Sequence, residues 1–474
     1  MKKIKKNRKR KTIYKLLLPI ILLIGALAFF AVAEQMTTEG ELLGDMADRE
    51  LFGAIAVFLW LIPILLMLLI PALLLSGKGS GAAGEAQALT QPVPTPVPEE
   101  SEARAEPTPE TAEVRTERFC MLSGIDRNRE SYGHRSYDKS MTLESFCEDF
   151  RNFAAGNLKL YYDIEDIRRF VSGLAVSRLV ILQGMSGTGK TSLAHAFGAF
   201  TDNSATVIPV QPMWKERTDL VGYYNEFTKR FNETLLLEKM YEANYSNDMY
   251  VTVLDEMNIA RVEYYFAEFL SLLELPDPNE RYIDVVSDKW ENDPAQLRDG
   301  RLRLPENMWF VGTANNDDST FAISDKVYDR AMILNLDSKC ERFATPKTER
   351  KPISAERFCA LAEHAMREYG VSRRNMKRLE AFDAYLIEHF HITFGNRIMK
   401  QIREYIAVYV SCGGTELAAL DDILAKKVIR KLETQNPIYL RNAADGLLAF
   451  IDELFGADKM PQCKEYVRRL QRNA

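Results

Sequence analysis

The first part of the chain carries two long apolar segments. Leu16–Ala33 extends for 18 residues and Leu51–Leu75 for 25 residues without a charged side chain. At about 1.5 Å per residue, the shorter segment is about 27 Å long as a helix, which is enough to cross the hydrocarbon core of a bilayer. The pattern therefore predicts two transmembrane helices, about residues 16–33 and 51–75, within a membrane anchor formed by residues 1–76.

The charges around these segments predict the orientation of the anchor. Nine of the first fifteen residues are Lys or Arg, whereas residues 34–50 hold six acidic residues and one Arg. Because basic residues stay on the cytoplasmic side, we expect a helical hairpin in the plasma membrane, multi-pass, with both chain termini in the cytoplasm. Ala31-Val32-Ala33 resembles a cleavage site, so a signal peptide remains an alternative for the first segment.

After the anchor, the chain is first polar and then has the sequence pattern of a globular protein. Residues 77–118 are rich in Gly, Pro and Glu, which predicts a disordered, extended linker without a core. Residues 119–154 form a polar lead-in. In residues 155–340, short apolar strands alternate with helical patterns, which predicts an α/β core with a parallel sheet flanked by helices. Residues 341–474 have helical periodicity and predict an all-helical C-terminal region.

Composition and charge exclude several classes of protein. With 27% charged and 46% hydrophobic residues in 474, the chain is neither disordered throughout nor collagen-like. The net charge of −6 does not indicate a nucleic-acid-binding protein. The six cysteines form no CxxC pair and the five histidines show no metal-ligand spacing, so neither a zinc site nor a disulfide framework is expected.

A phosphate-binding loop follows the first apolar strand, Arg178–Gln183. Its residues match the pattern G-x-x-x-x-G-K-[ST] and are Gly184, Met185, Ser186, Gly187, Thr188, Gly189, Lys190 and Thr191. In such a loop the backbone N–H groups surround the phosphates. Lys190 reaches the β- and γ-phosphate oxygens, and the hydroxyl of Thr191 binds Mg²⁺. The segment after the loop is helical, as the motif requires.

Polar residues also follow two later strands. Asp255 and Glu256 come directly after the apolar strand that begins at Met249, where the first acid can hold Mg²⁺ and the second can act as general base toward water. Asn315 follows the strand Met308–Gly312, and its amide can orient the attacking water. In isolation, the Asn315 segment is also typical of a turn.

Together these motifs resemble the Walker A, Walker B and sensor 1 motifs of AAA+ ATPases. The Walker B match is Asp255-Glu256-Met257-Asn258 and the sensor 1 match is Gly312–Asn315. The stretch Gln211–Asn225 is similar to the McrB-like, dynein-related branch, which is close to MoxR-like proteins. That branch has an insertion after the second strand, here Val221–Asn232. The resemblance implies a P-loop AAA+ core with a helical C-terminal lid, and it covers about residues 155–435.

The resemblance also implies two catalytic arginines and a sensor. Asn315 corresponds to sensor 1. Arg330 corresponds to an arginine finger that reaches the γ-phosphate of a neighbouring subunit. Arg397, before an apolar-faced helix, corresponds to the sensor 2 arginine that contacts the γ-phosphate in its own subunit. The McrB pattern has consecutive arginines where this chain has Asp329-Arg330-Ala331. Surface or salt-bridged arginines are the alternatives at both positions.

The function implied is that of a membrane-anchored AAA+ ATPase that hydrolyses ATP with Mg in a subunit-shared site. Such a protein forms a homo-oligomer, in this family a hexameric ring, and remodels or regulates a partner protein that the sequence does not identify. ATP is favoured over GTP, although McrB itself uses GTP. The alternatives are a nucleotide-switched scaffold and a GTP-using motor subunit that acts on DNA with a nuclease partner. Direct nucleic-acid binding is not expected, because the chain shows no nuclease constellation and no DNA-reading domain.

Overall fold

The computed structural model describes residues 117–132, 135–138, 140–315, 320–337 and 340–473. The two predicted transmembrane helices and all but the end of the predicted linker lie outside these residues. Within them, no helix combines the length and the apolar character needed to cross a bilayer.

The described part of the chain consists of a region of mixed helices and strands followed by a region of helices. From the start to the end of the sheet region the elements are α1 Met121–Arg127, α2 Leu143–Leu158, α3 Ile164–Val176, β1 Leu179–Gly184, α4 Lys190–Phe200, β2 Thr206–Pro209, α5 Arg217–Val221, β3 Gly222–Asn225, β4 Arg230–Glu233, α6 Leu235–Ala243, β5 Tyr250–Asp255, α7 Val262–Tyr265, α8 Ala267–Leu272, β6 Tyr282–Asp284, β7 Leu297–Arg298, β8 Arg301–Arg303, β9 Met308–Asn315, α9 Asp325–Tyr328 and β10 Met332–Asn335. The C-terminal helices are α10 Ala355–Glu368, α11 Arg373–Phe390, α12 Asn396–Ser411, α13 Glu416–Lys427, α14 Pro437–Phe455 and α15 Pro461–Asn473. Short 3₁₀ helices cover Arg129–Tyr132, Met257–Ile259, Pro278–Glu280 and Ile429–Thr434.

The centre of the fold is a five-stranded parallel sheet with the order β10-β1-β9-β5-β2. All six residues of β1 are buried, as expected for a strand covered on both faces. The register pairs Gly184 with Asn315 and places β9 between β1 and β5, so the carboxyl ends of these three strands are neighbours. One buried cluster joins one face of the sheet to the C-terminal helices, and a second covers the other face. The predicted α/β core with a parallel sheet and a helical C-terminal region is confirmed.

Two small β-structures project from this core. The predicted insertion forms the hairpin β3–β4, whose tip carries Phe227 with 99% of its surface exposed. The second is the three-stranded sheet β6-β8-β7. Residues 262–274 have a helical apolar pattern, and in the structure they form two short helices, α7 and α8, divided at Phe266. Residues 325–332 also have a helical pattern, but the helix α9 ends at Tyr328 and residues 332–335 join the edge of the sheet as β10.

The lead-in is more ordered than its polar composition indicated. It contains α1 and α2, and α2 starts with a capping box in which the side chains of Thr142 and Ser145 each accept from the other's backbone N–H. Phe146 and Phe150 are fully buried on one face of α2. Phe150 packs against Phe200 of α4 with ring centroids 5.4 Å apart. The aromatic stripe of α2 therefore belongs to the core.

Arg118, the last residue of the predicted linker, is also part of the folded unit, which corrects that boundary. Its side chain is 1% exposed, and Nε and Nη2 each donate to the Asp293 carboxylate at 2.6 Å. Its guanidinium lies 4.5 Å from the centre of the Trp290 ring. Its carbonyl oxygen accepts from the N–H of Phe231 in β4 at 2.7 Å. Residue 118 is therefore fixed to both β-structures that project from the core.

Candidate functional site

The loop between β1 and α4 has the backbone geometry of a phosphate cradle. Gly187 and Gly189 have φ values of 79° and 92°, a left-handed region that favours glycine. A Cβ atom at Gly187 would meet no heavy atom within 4 Å, so the space beside this residue is open. A Cβ atom at Gly184 would lie 2.4 Å from the carbonyl oxygen of Leu336, so only glycine fits there. Helix α4 begins at Lys190, and its N-terminus faces the loop.

The ammonium group of Lys190 lies within this loop. Lys190 is 7% exposed, and Nζ donates to the carbonyl oxygens of Gly184 and Met185 at 2.9 and 2.7 Å. The loop's own oxygens therefore hold the positive charge where a phosphate group would enter, and phosphate oxygens can replace them as acceptors.

Hydroxyl and carboxylate oxygens from the start of α4 and the ends of β5 and β9 meet at this edge of the sheet. Thr191 Oγ1 donates to Asp255 Oδ1 at 2.7 Å, and Thr313 Oγ1 donates to the same oxygen at 2.8 Å. Thr313 Oγ1 also accepts from the backbone N–H of Glu256 at 2.9 Å. Such hard oxygen atoms are the ligands that Mg²⁺ prefers, so Thr191 and Asp255 fit the metal predicted for them. Thr313 had no assigned role in the sequence, where it is a polar residue within an apolar strand.

Asn258 links the segment after β5 to the end of β9. Its Nδ2 donates to the carbonyl oxygen of Asn315 at 2.9 Å, and its Oδ1 accepts from the Asn315 N–H at 3.4 Å. Glu256 is exposed and has φ 52°, which turns the chain out of β5. The residues that the structure brings together at this edge are Lys190, Thr191, Asp255, Glu256 and Asn315.

A cavity of about 220 Å³ lies beside the phosphate loop. Its walls include Tyr161, Tyr162 and Gly187–Gly189. Tyr162 Oη donates to the carbonyl oxygen of Gly189 at 3.0 Å, and burial raises the pKa of this phenol well above its usual range. The cavity is also lined by Leu160 and Leu336 and by the charged Lys159, Asp166 and Arg342, and its aromatic side chains suit the base of a nucleotide whose phosphates lie in the loop.

The two predicted catalytic arginines lie together, but at the opposite edge of the sheet. Arg330 Nη2 is 2.9 Å from Glu274 Oε2, and Arg397 Nη2 is 2.7 Å from Glu274 Oε1. All three residues line a cavity of about 470 Å³ that also includes Ser177 and Leu179, at the amino end of β1. The six residues of β1 separate this end from the phosphate loop by about 17 Å.

The structure therefore places Arg397 away from the phosphate loop of its own chain, and its contact with the nucleotide of its own subunit stays a prediction. The physical reason is the packing of α12, whose residues Lys400, Gln401 and Glu404 line the same cavity at the amino edge of the sheet. Arg330 also lies away from the phosphate loop of its own chain, which is compatible with a role in a second copy.

Comparison with protein-family models shows which family the sheet region resembles. Residues 179–331 match the family model of the AAA domain, dynein-related subfamily. This part of the chain is similar to AAA domains. The match supports ATP-hydrolysing activity, and the matched range includes the phosphate loop, the acid pair, Asn315 and Arg330. Residues 347–474, which comprise the C-terminal helices, match a domain of unknown function (DUF8727).

Other comparisons are more distant. No curated protein sequence matches the chain. Among solved structures, a candidate ATPase from Cytophaga hutchinsonii aligns with 65% of this chain and 88% of its own at 13% identity, with a TM-score of 0.41. A full-length MCM homolog from Methanopyrus kandleri aligns with 61% of each chain at 12% identity, with a TM-score of 0.35.

Proposed function

We propose that the protein is a membrane-anchored AAA+ ATPase whose active site is shared between two copies of the chain. The observation that carries this proposal is the separation of the site into two halves. Lys190, Asp255, Glu256 and Asn315 lie at the carboxyl edge of the sheet, whereas Arg330 lies at the amino edge. A second copy is needed to bring the two halves to one triphosphate.

The carboxyl-edge half binds the triphosphate and activates water. Lys190 and the N–H groups of the loop neutralise the phosphate oxygens. Thr191 and Asp255 hold Mg²⁺, which supplies further positive charge to the triphosphate when it is bound. Glu256 accepts a proton from the attacking water, and the side-chain amide of Asn315 orients that water. Asn258 and Thr313 hold the backbone of Asn315 and Glu256 in place.

The amino-edge half supplies charge to the neighbouring subunit's γ-phosphate. The cavity around Arg330 is lined by more cations than acids. The cations are Arg178, Arg281, Arg330, Arg397 and Lys400, and the acids are Glu274, Glu306 and Glu404. This excess of positive charge favours an anion over other occupants. We propose that Arg330 stabilises the transition state and that Arg397 acts beside it on the same neighbour.

A head-to-tail contact between opposite edges also determines the kind of assembly. Such heterologous contacts close into a ring when the rotation between copies allows it. We propose a homo-oligomeric ring, hexameric as in related ATPases, that uses ATP and remodels or regulates a partner protein. The aromatic and apolar cavity beside the phosphate loop accommodates the base of ATP.

Dilution of the purified full-length chain tests the shared site. Because two copies form each site, ATP turnover per chain should fall steeply as the concentration drops below that needed for assembly. The measurement is the rate of phosphate release at saturating ATP over a wide range of chain concentrations. A turnover per chain that stays constant when sedimentation shows only monomers would sink the shared-site proposal.

The membrane anchor rests on the two apolar segments of the sequence, Leu16–Ala33 and Leu51–Leu75. We propose that they hold the ATPase at the plasma membrane with both termini in the cytoplasm. After expression in bacteria, the full-length chain should remain in the membrane pellet through alkaline carbonate extraction, and detergent should release it. Recovery of the chain in the carbonate supernatant would exclude an integral anchor.

A further inference from the structure

The segment that carries Arg330 is held by a buried lysine of the C-terminal helices. Lys427, the last residue of α13, is 2% exposed. Its Nζ donates to the carbonyl oxygen of Tyr328 at 2.7 Å and to that of Ala331, with a longer bond of 3.4 Å to Asp329. These carbonyls lie on both sides of Arg330, so one ammonium group fixes the backbone before and after this residue.

A buried lysine of this kind needs an explanation beyond packing. Placing a charged group in the interior is unfavourable unless polar groups compensate it, and an apolar side chain of the same length would fill the space without this requirement. Burial lowers the pKa of Lys427 to about 7, although the nearby Asp329 carboxylate acts in the opposite direction. What Lys427 provides, and an apolar side chain cannot, is three hydrogen bonds to the Arg330 segment.

Other residues of the C-terminal region contact the same segment. Gln401 Nε2 of α12 donates to the carbonyl oxygen of Asp329 at 3.3 Å. Lys431 lies 3.3 Å from the Asp329 carboxylate, and Arg430 Nη2 lies 2.6 Å from Asp325 Oδ1. On the sheet side, Ser177 Oγ donates to the carbonyl oxygen of Arg330 at 2.9 Å. Lys427 is the most buried of these donors, and it is the one that donates to carbonyl oxygens on both sides of Arg330.

We propose that Lys427 is a positioning residue that presents Arg330 to the neighbouring subunit's γ-phosphate. This inference rests on the proposed shared site. It gives the C-terminal domain, which has no assigned function, a part in catalysis by the next subunit. A displacement of about 1 Å in a catalytic group can cost about 10²-fold in rate, so loss of the Lys427 bonds should be visible in turnover.

Mixed assemblies separate this role from a general effect on folding. Full-length Arg330→Ala chains keep an intact phosphate site but lack the arginine, and Glu256→Gln chains keep the arginine but lack the base. Mixing the two should restore turnover at interfaces where Arg330 of a Glu256→Gln chain meets the phosphate site of an Arg330→Ala chain. Lys427→Met is then added to one of the two chains at a time.

The expected result is asymmetric. Lys427→Met in the Glu256→Gln chain should reduce the restored turnover by about 10²-fold, because that chain supplies Arg330. The same change in the Arg330→Ala chain should reduce it less than threefold. Lys377→Met, at an exposed lysine of α11, is the matched control and should have no effect in either chain. The milder Gln401→Leu should show the same asymmetry on a smaller scale.

Two results would overturn the inference, and they are distinct from failure of the proposed function. Equal losses in both arrangements would assign Lys427 a purely structural role, and no loss in either would remove it from catalysis. If Arg330→Ala and Glu256→Gln chains do not restore turnover when mixed, although both bind ATP and assemble, the shared site itself is refuted.

Discussion

Glu256→Gln should lower ATP turnover by about 10²- to 10⁴-fold and leave ATP binding almost unchanged. The substitution removes the carboxylate that accepts a proton from water, and the loss of a general base typically has this magnitude. The phosphate loop is not altered, because Lys190 is held by loop carbonyls and Thr191 by Asp255. Steady-state phosphate release gives the turnover, and titration with a fluorescent ATP analogue gives the affinity.

The control for this change is Glu380→Gln, at an exposed glutamate of α11 that lines neither the cavity beside the phosphate loop nor the cavity around Arg330. This variant should hydrolyse ATP at the rate of the unmodified protein. If Glu256→Gln keeps more than a tenth of the original turnover, the base lies elsewhere. If it loses ATP binding as well as turnover, Glu256 supports the nucleotide site and not the chemical step.

Arg330→Ala should lower turnover by about 10³- to 10⁵-fold, the range observed for arginines that stabilise the charge of a phosphoryl-transfer transition state. ATP affinity should change little, because Arg330 lies at the amino edge of the sheet, remote from the phosphate loop of its own chain. The measurement is turnover at saturating ATP, at a chain concentration where sedimentation shows full assembly.

Arg367→Ala is the corresponding control, because the Arg367 side chain is 68% exposed and is 3.9 Å from its partner Glu363 on the same helix. Such an exposed pair contributes little to stability. Equal turnover of Arg330→Ala and Arg367→Ala would remove Arg330 from catalysis. Loss of assembly by Arg330→Ala would make it an interface residue, and the arginine would then have to be sought among the other cations of the cavity.

The sequence was sufficient to predict the sheet and the phosphate loop because their signals are local. The buried strand, the glycine loop and the helix at Lys190 follow one another directly along the chain, and this order determines their geometry. The proximity of Asp255 and Asn315 was also predictable, because each follows a buried strand and the carboxyl ends of neighbouring parallel strands meet at one edge. The roles of these residues remain predictions until turnover is measured.

What the sequence did not predict depends on contacts between distant segments. The position of Arg397 is decided by how α12 packs against the sheet, which no local motif encodes. Glu274 and Lys427 contact residues 56 to 123 and 96 to 99 positions away, respectively. The strand β10 has four residues and follows the helix that ends at Tyr328, and the helical pattern of this segment gave no sign of a strand.

The contacts of Arg118 determine where tension on the N-terminal side of the domain would be transmitted. Arg118 is bound to Asp293 and to β4, and the Glu233 carboxylate of β4 accepts N–H groups from the three residues Cys120, Met121 and Leu122. A pull on the chain before residue 117 would therefore load the two projecting β-structures before the nucleotide-binding strands. In the anchored ring proposed above, mechanical strain would thus reach these two β-structures while the phosphate loops remain undistorted.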